Sequence, residues 1–399
     1  MGRKPKTENN IENNNSENLK IHEELAKEGT SIFRLENYKV EDVEYWISTG
    51  SLILDASITN SYINKDGEFL GGFYPKGILE ISALSSVGKS ALAGQLLRNA
   101  QLMGAVCAFI DAENAVNLPF FQQCGVDFSP QKLIYSKERV AENIFVLIEK
   151  LIEKIQNSKN PKRLGLIVVD SLAAMITKDE LELKYETSGY RTQLARQLSF
   201  GLKRIAPILE DSNIGLVFTN QLRYNLKAQP FQDPWITVGG AAMSFYADMR
   251  WRLVKGKKII NAKKQQVGSI IKVKFIKNRF GPPPNDNDVY FYFGRGIDND
   301  GTIYNFLKER KLIVTRKPNL TINIPGLESE KLEIKNWKKW LNEDANKRKL
   351  VEKAILDEIR INLNYDEFSE EFDTIDDDED SEIDTSNDED IMSKLIESN

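Results

Sequence analysis

The chain has 399 residues, 41% of them hydrophobic and 28% charged, with a formal net charge of −5. No apolar run approaches the ~18 residues of a membrane-crossing helix, so the composition excludes a helical membrane protein and predicts a soluble chain long enough for one large α/β domain with appendages. Cys107 and Cys124 make no disulfide framework, and the start, Met1-Gly2-Arg3-Lys4-Pro5-Lys6, lacks the apolar segment of a secretory signal; a reducing cytoplasm is the expected compartment, with no membrane partner.

Residues 1–20 are polar and Asn-rich and are expected to be disordered. A short helix over Ile21–Lys27 and a strand over Ser31–Leu35 follow. Between Gly77 and about Asp298, β-branched runs alternate with amphipathic segments, which predicts a mostly parallel sheet flanked by helices. Its strands are expected at Gly77–Ser82, Val106–Asp111, Leu164–Asp170 and Ile214–Gln221, with an antiparallel extension at Ser269–Lys277 and Asp288–Phe293. Residues 301–365 read as a small, Lys-rich α+β unit. Residues 366–399 carry 16 Asp or Glu against the single Lys394, which leaves the preceding 365 residues at +10. A basic body with an acidic, disordered tail suggests a polyanion-binding surface and a tail that competes for it.

The turn Ala83-Leu84-Ser85-Ser86-Val87-Gly88-Lys89-Ser90 lies between the first strand and a helix predicted over Lys89–Met103, which is the setting of a phosphate-binding loop. Loop amides and the helix N-terminus would cradle phosphates, Lys89 would reach their outer oxygens, and Ser90 would hold Mg²⁺. Ala83 stands where the pattern expects glycine. If the turn needs positive φ there, its methyl weakens phosphate binding. Two further apolar strands end in Asp111-Ala112-Glu113 and Asp170-Ser171. Asp170 is suited to the Mg²⁺ shell and Glu113 to orienting a water, while Gln221 ends a fourth strand and could sense the γ-phosphate. Four polar strand ends on one carboxyl edge mark the usual ligand position of an open parallel sheet.

With Ile47-Ser48-Thr49-Gly50-Ser51-Leu52, Cys107 to Glu113, Val168-Val169-Asp170-Ser171, Asn220-Gln221 and Phe245-Tyr246-Ala247 in this order and spacing, the chain resembles the RecA-type recombinases from about Ser31 to Leu356. The resemblance implies a RecA-type P-loop NTPase core over 61–300, preceded by a polymerisation element over 21–60 and followed by a C-terminal unit that collects duplex DNA. It implies that ATP is the nucleotide, Glu113 the catalytic carboxylate, and Gln221 the link from γ-phosphate to a DNA-binding loop. Asn117 and Phe120 fall where the family contacts adenine. Lys277 and Arg279 fall where the family places cations that reach the nucleotide of the adjacent subunit.

Two DNA-facing segments are expected: Leu183 to Arg196, and the long stretch from Leu222 to Gly240, which lacks strand periodicity. Arg191, Arg196, Arg223 and Lys227 offer phosphate contacts; Leu226, Phe231 and Trp235 offer stacking or wedging. Family position adds Ser199, Lys203 and the amides of Gly239 and Gly240. In the C-terminal unit, Lys335, Lys338, Lys339, Lys347, Arg348 and Lys349 surround Trp337 and Trp340 as a basic patch. The resulting expectation is an ATP-dependent recombinase that forms helical homo-oligomeric filaments on single-stranded DNA and pairs it with a duplex, with a single-stranded-DNA-binding protein as an accessory partner. A non-hydrolysing DNA-coating or mediator protein, motivated by Ala83, and a hexameric helicase on the same core are the alternatives.

Overall fold

A computed structural model describes residues 45–64, 66–160, 163–182, 193–227, 229, 231–282 and 284–360. The expected helix and strand before residue 45, the 183–192 segment with Arg191, and the acidic tail lie outside them. The described chain runs α1 (Leu52–Thr59), β1 (Ile78–Ala83), α2 (Lys89–Leu102), β2 (Val106–Asp111), α3 (Leu118–Gln123), β3 (Leu133–Ser136), α4 (Ala141–Gln156), β4 (Gly165–Asp170), α5 (Lys178–Glu182) and α6 (Gln193–Glu210). It continues through β5 (Ile214–Tyr224), β6 (Trp235–Thr237), α7 (Ala242–Tyr246), β7 (Met249–Ile260), β8 (Gln266–Asn278), β9 (Asn287–Tyr292) and β10 (Gly296–Ile297). The last elements are α8 (Asn299–Glu309), β11 (Ile313–Arg316), β12 (Asn319–Ile322), β13 (Glu330–Glu333), α9 (Trp337–Glu343) and α10 (Ala345–Ile359).

The main sheet has the order β10-β9-β8-β7-β1-β5-β4-β2-β3, with β6 attached to β5. From β7 to β3 neighbouring strands are parallel, and β8 to β10 extend the sheet antiparallel, as the sequence predicts. β1, β4 and most of β5 are buried residue after residue, the mark of strands covered on both faces. On one face α2 packs Leu92, Ala93, Leu96 and Leu97 against Ile81, Phe109, Val217 and Trp251. On the other, α4 and α6 bury Ile144, Ile148, Ile152, Leu198, Leu202 and Ile205, spaced as one helical stripe each. Each such side chain contributes roughly 1.5–3 kcal/mol relative to exposure. Gly201 lets α6 come close to α4: a Cβ there would stand 2.5 Å from the Phe145 ring.

Four strands of the main sheet escape the sequence pattern, the two-residue β10 among them. β3 is a four-residue edge; β7 is half exposed and Lys-rich; β6 sits inside the segment expected to be irregular. That segment is a short antiparallel ribbon, because β5 runs on past Gln221 and pairs Leu222 with Thr237, Arg223 with Ile236 and Tyr224 with Trp235. Cross-strand aromatic packing replaces periodicity as the organising force, with Tyr224 and Trp235 edge to face at 5.6 Å.

Residues of α8 to α10 and the sheet β11-β12-β13 enclose a separate core that also takes Ile53 from α1. Trp337 and Trp340 stack at 5.5 Å inside it, their indole N–H groups donating to the Asp300 carbonyl (2.8 Å) and to Glu330 (2.6 Å). Four of the six cations expected around them are ion-paired, although residues 301–360 keep 14 Lys or Arg against 9 Asp or Glu. Lys335 meets Glu333, Lys338 meets Asp298, Lys347 meets Glu330 and Glu343, and Arg348 meets Glu352 and Asp300.

Candidate nucleotide and DNA site

The loop after β1 differs from expectation at its first residue. Ala83 is the last strand residue, fully buried, hydrogen-bonded in register between Gln221 and Leu253, and its φ is not positive. Its methyl lies in the core, and its backbone does not adopt the conformation that would call for glycine. Positive φ falls instead on Ser86 (61°) and Gly88 (121°). Gly88 caps α2 without a side-chain hydrogen bond, so the first amides of a 14-residue helix open toward the loop, an arrangement that favours an anion. Val87 points into the core, Ser85 and Ser86 are exposed, and Leu84 is half-buried. The Lys89 ammonium curls back onto the carbonyls of Leu84 (3.1 Å) and Ala83 (3.4 Å). Burial lowers its pKa, and the charges of Asp170 and Glu113 push it back up. Lys89 is therefore a nearly buried cation facing two carboxylates, matched to a polyphosphate.

Asp170 ends β4, nearly buried, and accepts a short hydrogen bond from the Thr219 hydroxyl. Glu113 is exposed; its backbone N–H donates to the Asp170 carbonyl at 3.1 Å and its Oε2 accepts from Ser171 at 3.4 Å, which locks the tips of β2 and β4 together. Asp111, unassigned from sequence, braces the turn that carries Glu113. It accepts from the amides of Ala115 and Val116 and from the Tyr135 hydroxyl at 2.8 Å. The Ser90 hydroxyl and Asp170 carboxylate are hard oxygen donors suited to Mg²⁺. Among the described residues no cluster of three or more His, Cys, Asp or Glu forms, so a cation here would draw most of its ligands from phosphate and water.

Gln221 lies directly opposite Ala83, and its N–H is held by the Asn220 side chain at 2.9 Å. Asn220 in turn donates to buried Glu80 (2.7 Å) and to the Val238 carbonyl (2.9 Å). Glu80 also receives Arg250 at 2.6 Å, and Arg250 reaches Thr237 at 3.4 Å. A lone carboxylate in the apolar run Ile78-Leu79-Glu80-Ile81 needs such partners, a signal present in the sequence and overlooked. The network joins the phosphate-loop strand, the Gln221 strand and the end of the ribbon.

Lys277 and Arg279 lie away from the phosphate loop of their own chain. Lys277 is level with Arg250 and Glu80, three strand residues or about 10 Å before the loop's start. Its ammonium binds the carbonyls of Ser244 (2.8 Å) and Phe245 (3.3 Å), and Arg279 pairs with Asp248 at 2.8 Å, whose other oxygen caps the start of β1 at Ile78. Both cations sit toward the opposite sheet edge.

Of the expected DNA residues, Arg196, Ser199 and Lys203 are exposed on one stripe of α6, spaced three and four residues apart. Arg223 and Lys227 are exposed, Leu226 is 89% exposed, and Phe231 projects fully into solvent. Gly239 and Gly240 have positive φ and lie against α6, where a Cβ on Gly239 would stand 2.4 Å from Leu198. They bring the ribbon's return onto the helix that carries Arg196. Asn117 caps α3 by accepting from the Phe120 amide at 3.1 Å, and Phe120 packs near Phe291. Sequence reasoning found β8 but not β7, and so missed the hairpin they form, where Met249 to Asn278 holds ten Lys or Arg and no acid.

A parallel sheet with a glycine-capped lysine loop after its first strand and carboxylates on the adjoining tips defines a P-loop nucleotide-binding protein. The family model of the RecA N-terminal domain matches residues 16–298. Protein RecA of Thermotoga petrophila is 33% identical over 296 residues, 74% of this chain and 76% of the relative. Protein RecA of Thermotoga maritima is 34% identical over 300 residues (75% and 77%), and that of Helicobacter hepaticus 33% identical over 279 (69% and 74%). The chain belongs to the RecA family of DNA recombination and repair proteins.

Proposed function

We propose that this protein is an ATP-dependent recombinase that polymerises on single-stranded DNA and exchanges it with a homologous duplex, hydrolysing ATP in a DNA-stimulated reaction. The observation that carries the reading is the continuity of β5: Gln221, beside the phosphate loop, and Arg223, on the exposed ribbon, are two residues apart on one strand and so on the same face. A change at the nucleotide is thereby one strand repeat from DNA.

In this reading the loop amides and Lys89 hold the β- and γ-phosphates, and Ser90 and Asp170 hold Mg²⁺, which supplies charge neutralisation on the phosphates. Glu113, fixed by Ser171 and by the Asp111-braced turn, orients the attacking water and takes its proton. Gln221 contacts the γ-phosphate, and Asn220 passes its position to Val238. Lys277 and Arg279, remote from their own loop, serve the neighbouring subunit's nucleotide, so the site is complete only in the polymer. Arg196, Ser199, Lys203, Arg223 and Lys227, with the Gly239 and Gly240 amides, hold the DNA backbone, and Leu226 wedges between bases. The acid-free hairpin supplies a basic surface for a duplex, beside the partly ion-paired C-terminal unit. The test is ATP turnover with and without single-stranded DNA, together with joint-molecule formation. Turnover that ignores DNA and no joint molecules would refute the reading.

A further inference from the structure

Arg252 on β7 and Asp233 in the ribbon's connecting segment meet at 2.6 Å, with Arg252 14% and Asp233 51% exposed. Antiparallel register puts Arg252 opposite Lys274 and Val254 opposite Lys272. Strand alternation then places Arg252, Lys272 and Lys274 on one face, while Trp251, Leu253 and Val273 bury the other in the core. This face is a stripe of cations on an acid-free hairpin, and the acid on it comes from the loop. Lys274 is otherwise engaged only with Asp286, at 3.6 Å, among the described residues.

Asp233 is fastened from its own side as well. One oxygen accepts from the Trp235 amide at 3.0 Å, and the Asn225 amide closes on the Pro234 carbonyl at 2.7 Å. Partial burial tends to raise its pKa, but the Arg252 hydrogen bond, the Trp235 amide and the charges of Arg252 and Lys274 outweigh it and keep the carboxyl below its usual range. The match to Arg252 is incomplete: one terminal nitrogen is bonded, whereas Nε is buried without a hydrogen-bond partner among the described residues. A planar guanidinium is satisfied best by an anion that takes Nε and a terminal nitrogen together. Asp233 has already given one oxygen to Trp235; a phosphodiester has two equivalent free oxygens.

We propose that Arg252 is a DNA-phosphate ligand and that Asp233 occupies its place in the DNA-free protein, latching the Asn225–Pro234 closure of the ribbon onto the hairpin until a backbone phosphate displaces it. The inference rests on the reading that the protein binds DNA. Displacement exchanges one anion for another at Arg252 and repels the released carboxylate from the strand, so the loop is free to rearrange only where DNA has arrived.

The experiment measures binding of fluorescent oligothymidylate to the full-length chain with ATP and Mg²⁺ over a salt series. Asp233→Asn is expected to tighten binding about 3- to 10-fold, and Arg252→Gln to weaken it about tenfold and to flatten the salt slope by about one. The double variant is expected to lose the gain from Asp233→Asn. Arg252→Lys, which keeps the charge without the fork, is expected to retain the slope with intermediate affinity. Trypsin cleavage after Lys227 in DNA-free protein is expected to accelerate in Asp233→Asn. Equal or weaker binding by Asp233→Asn, or a gain that survives Arg252→Gln, would overturn the latch. Failure of the wild type itself to bind DNA would instead overturn the functional reading on which it rests.

Discussion

Ala83 and Gln221 are direct register partners across β1 and β5, the first where the chain leaves the sheet for the phosphate loop and the second where it enters the exposed β5–β6 ribbon. Because Ala83 is fully buried strand, Ala83→Gly is expected to leave the ATP turnover number within about twofold and to lower stability by roughly 0.5–1 kcal/mol through added backbone freedom. Steady-state turnover and thermal melting of the variant check this. A large gain in turnover would return the methyl to the centre of the loop's chemistry.

The Glu80 network gives a stability prediction. Glu80 is buried and holds both Arg250 and Asn220. Glu80→Ala leaves a guanidinium without its counter-charge and is expected to cost about 3–5 kcal/mol in denaturant unfolding. Glu80→Gln still accepts one hydrogen bond and is expected to cost less.

Asp55 supplies a pH test. It is buried, and although Ser48 and Thr49 donate to it, desolvation dominates and raises its pKa from 3.8 to about 6. The folded protein therefore binds this proton more tightly than the unfolded chain does. The stabilising contribution is complete below about pH 3.8 and is lost as pH rises to about 6. The unfolding free energy of the wild type, taken relative to Asp55→Asn, is expected to fall by up to roughly 3 kcal/mol between pH 4 and pH 7. Parallel pH profiles for the two proteins would show that Asp55 titrates normally.

The placement of Lys277 and Arg279 predicts complementation between subunits. The double variant Lys277→Ala, Arg279→Ala and the variant Glu113→Gln are each expected to lose turnover, by up to about 10³-fold for the cations. Mixed in equal amounts on DNA, they are expected to regain part of it, since a Glu113→Gln subunit can lend its cations to a neighbour with intact Glu113. A mixture no more active than its parts would place each site within one chain.

Much of the core was legible in the sequence because buried parallel strands read as unbroken apolar runs: Val106–Asp111 matches β2 at both ends, and four polar strand tips announced the site edge. What escaped was set by neighbours distant in sequence. Among the described residues β3 is an edge held only by β2, and β6 is a strand because β5 continues beside it. Ala83 was misjudged because a motif position carries no φ; among the C-terminal cations, Lys338 meets Asp298 far along the chain, whereas Lys347 and Arg348 also meet Glu343 and Glu352 one helical turn away, pairings the spacing offered. Arg250 and Arg252 stand two residues apart on β7, yet one meets a buried carboxylate and the other Asp233 in the β5–β6 connection.

The central claim is that ATP assembles this chain on DNA through a site shared by adjacent subunits. Electron microscopy of the full-length protein with single-stranded DNA and Mg²⁺, comparing ATP with ADP, tests it most directly. The account predicts continuous helical filaments that are extended with ATP and collapsed or absent with ADP. Closed rings, or particles on DNA that do not respond to the nucleotide, would contradict it.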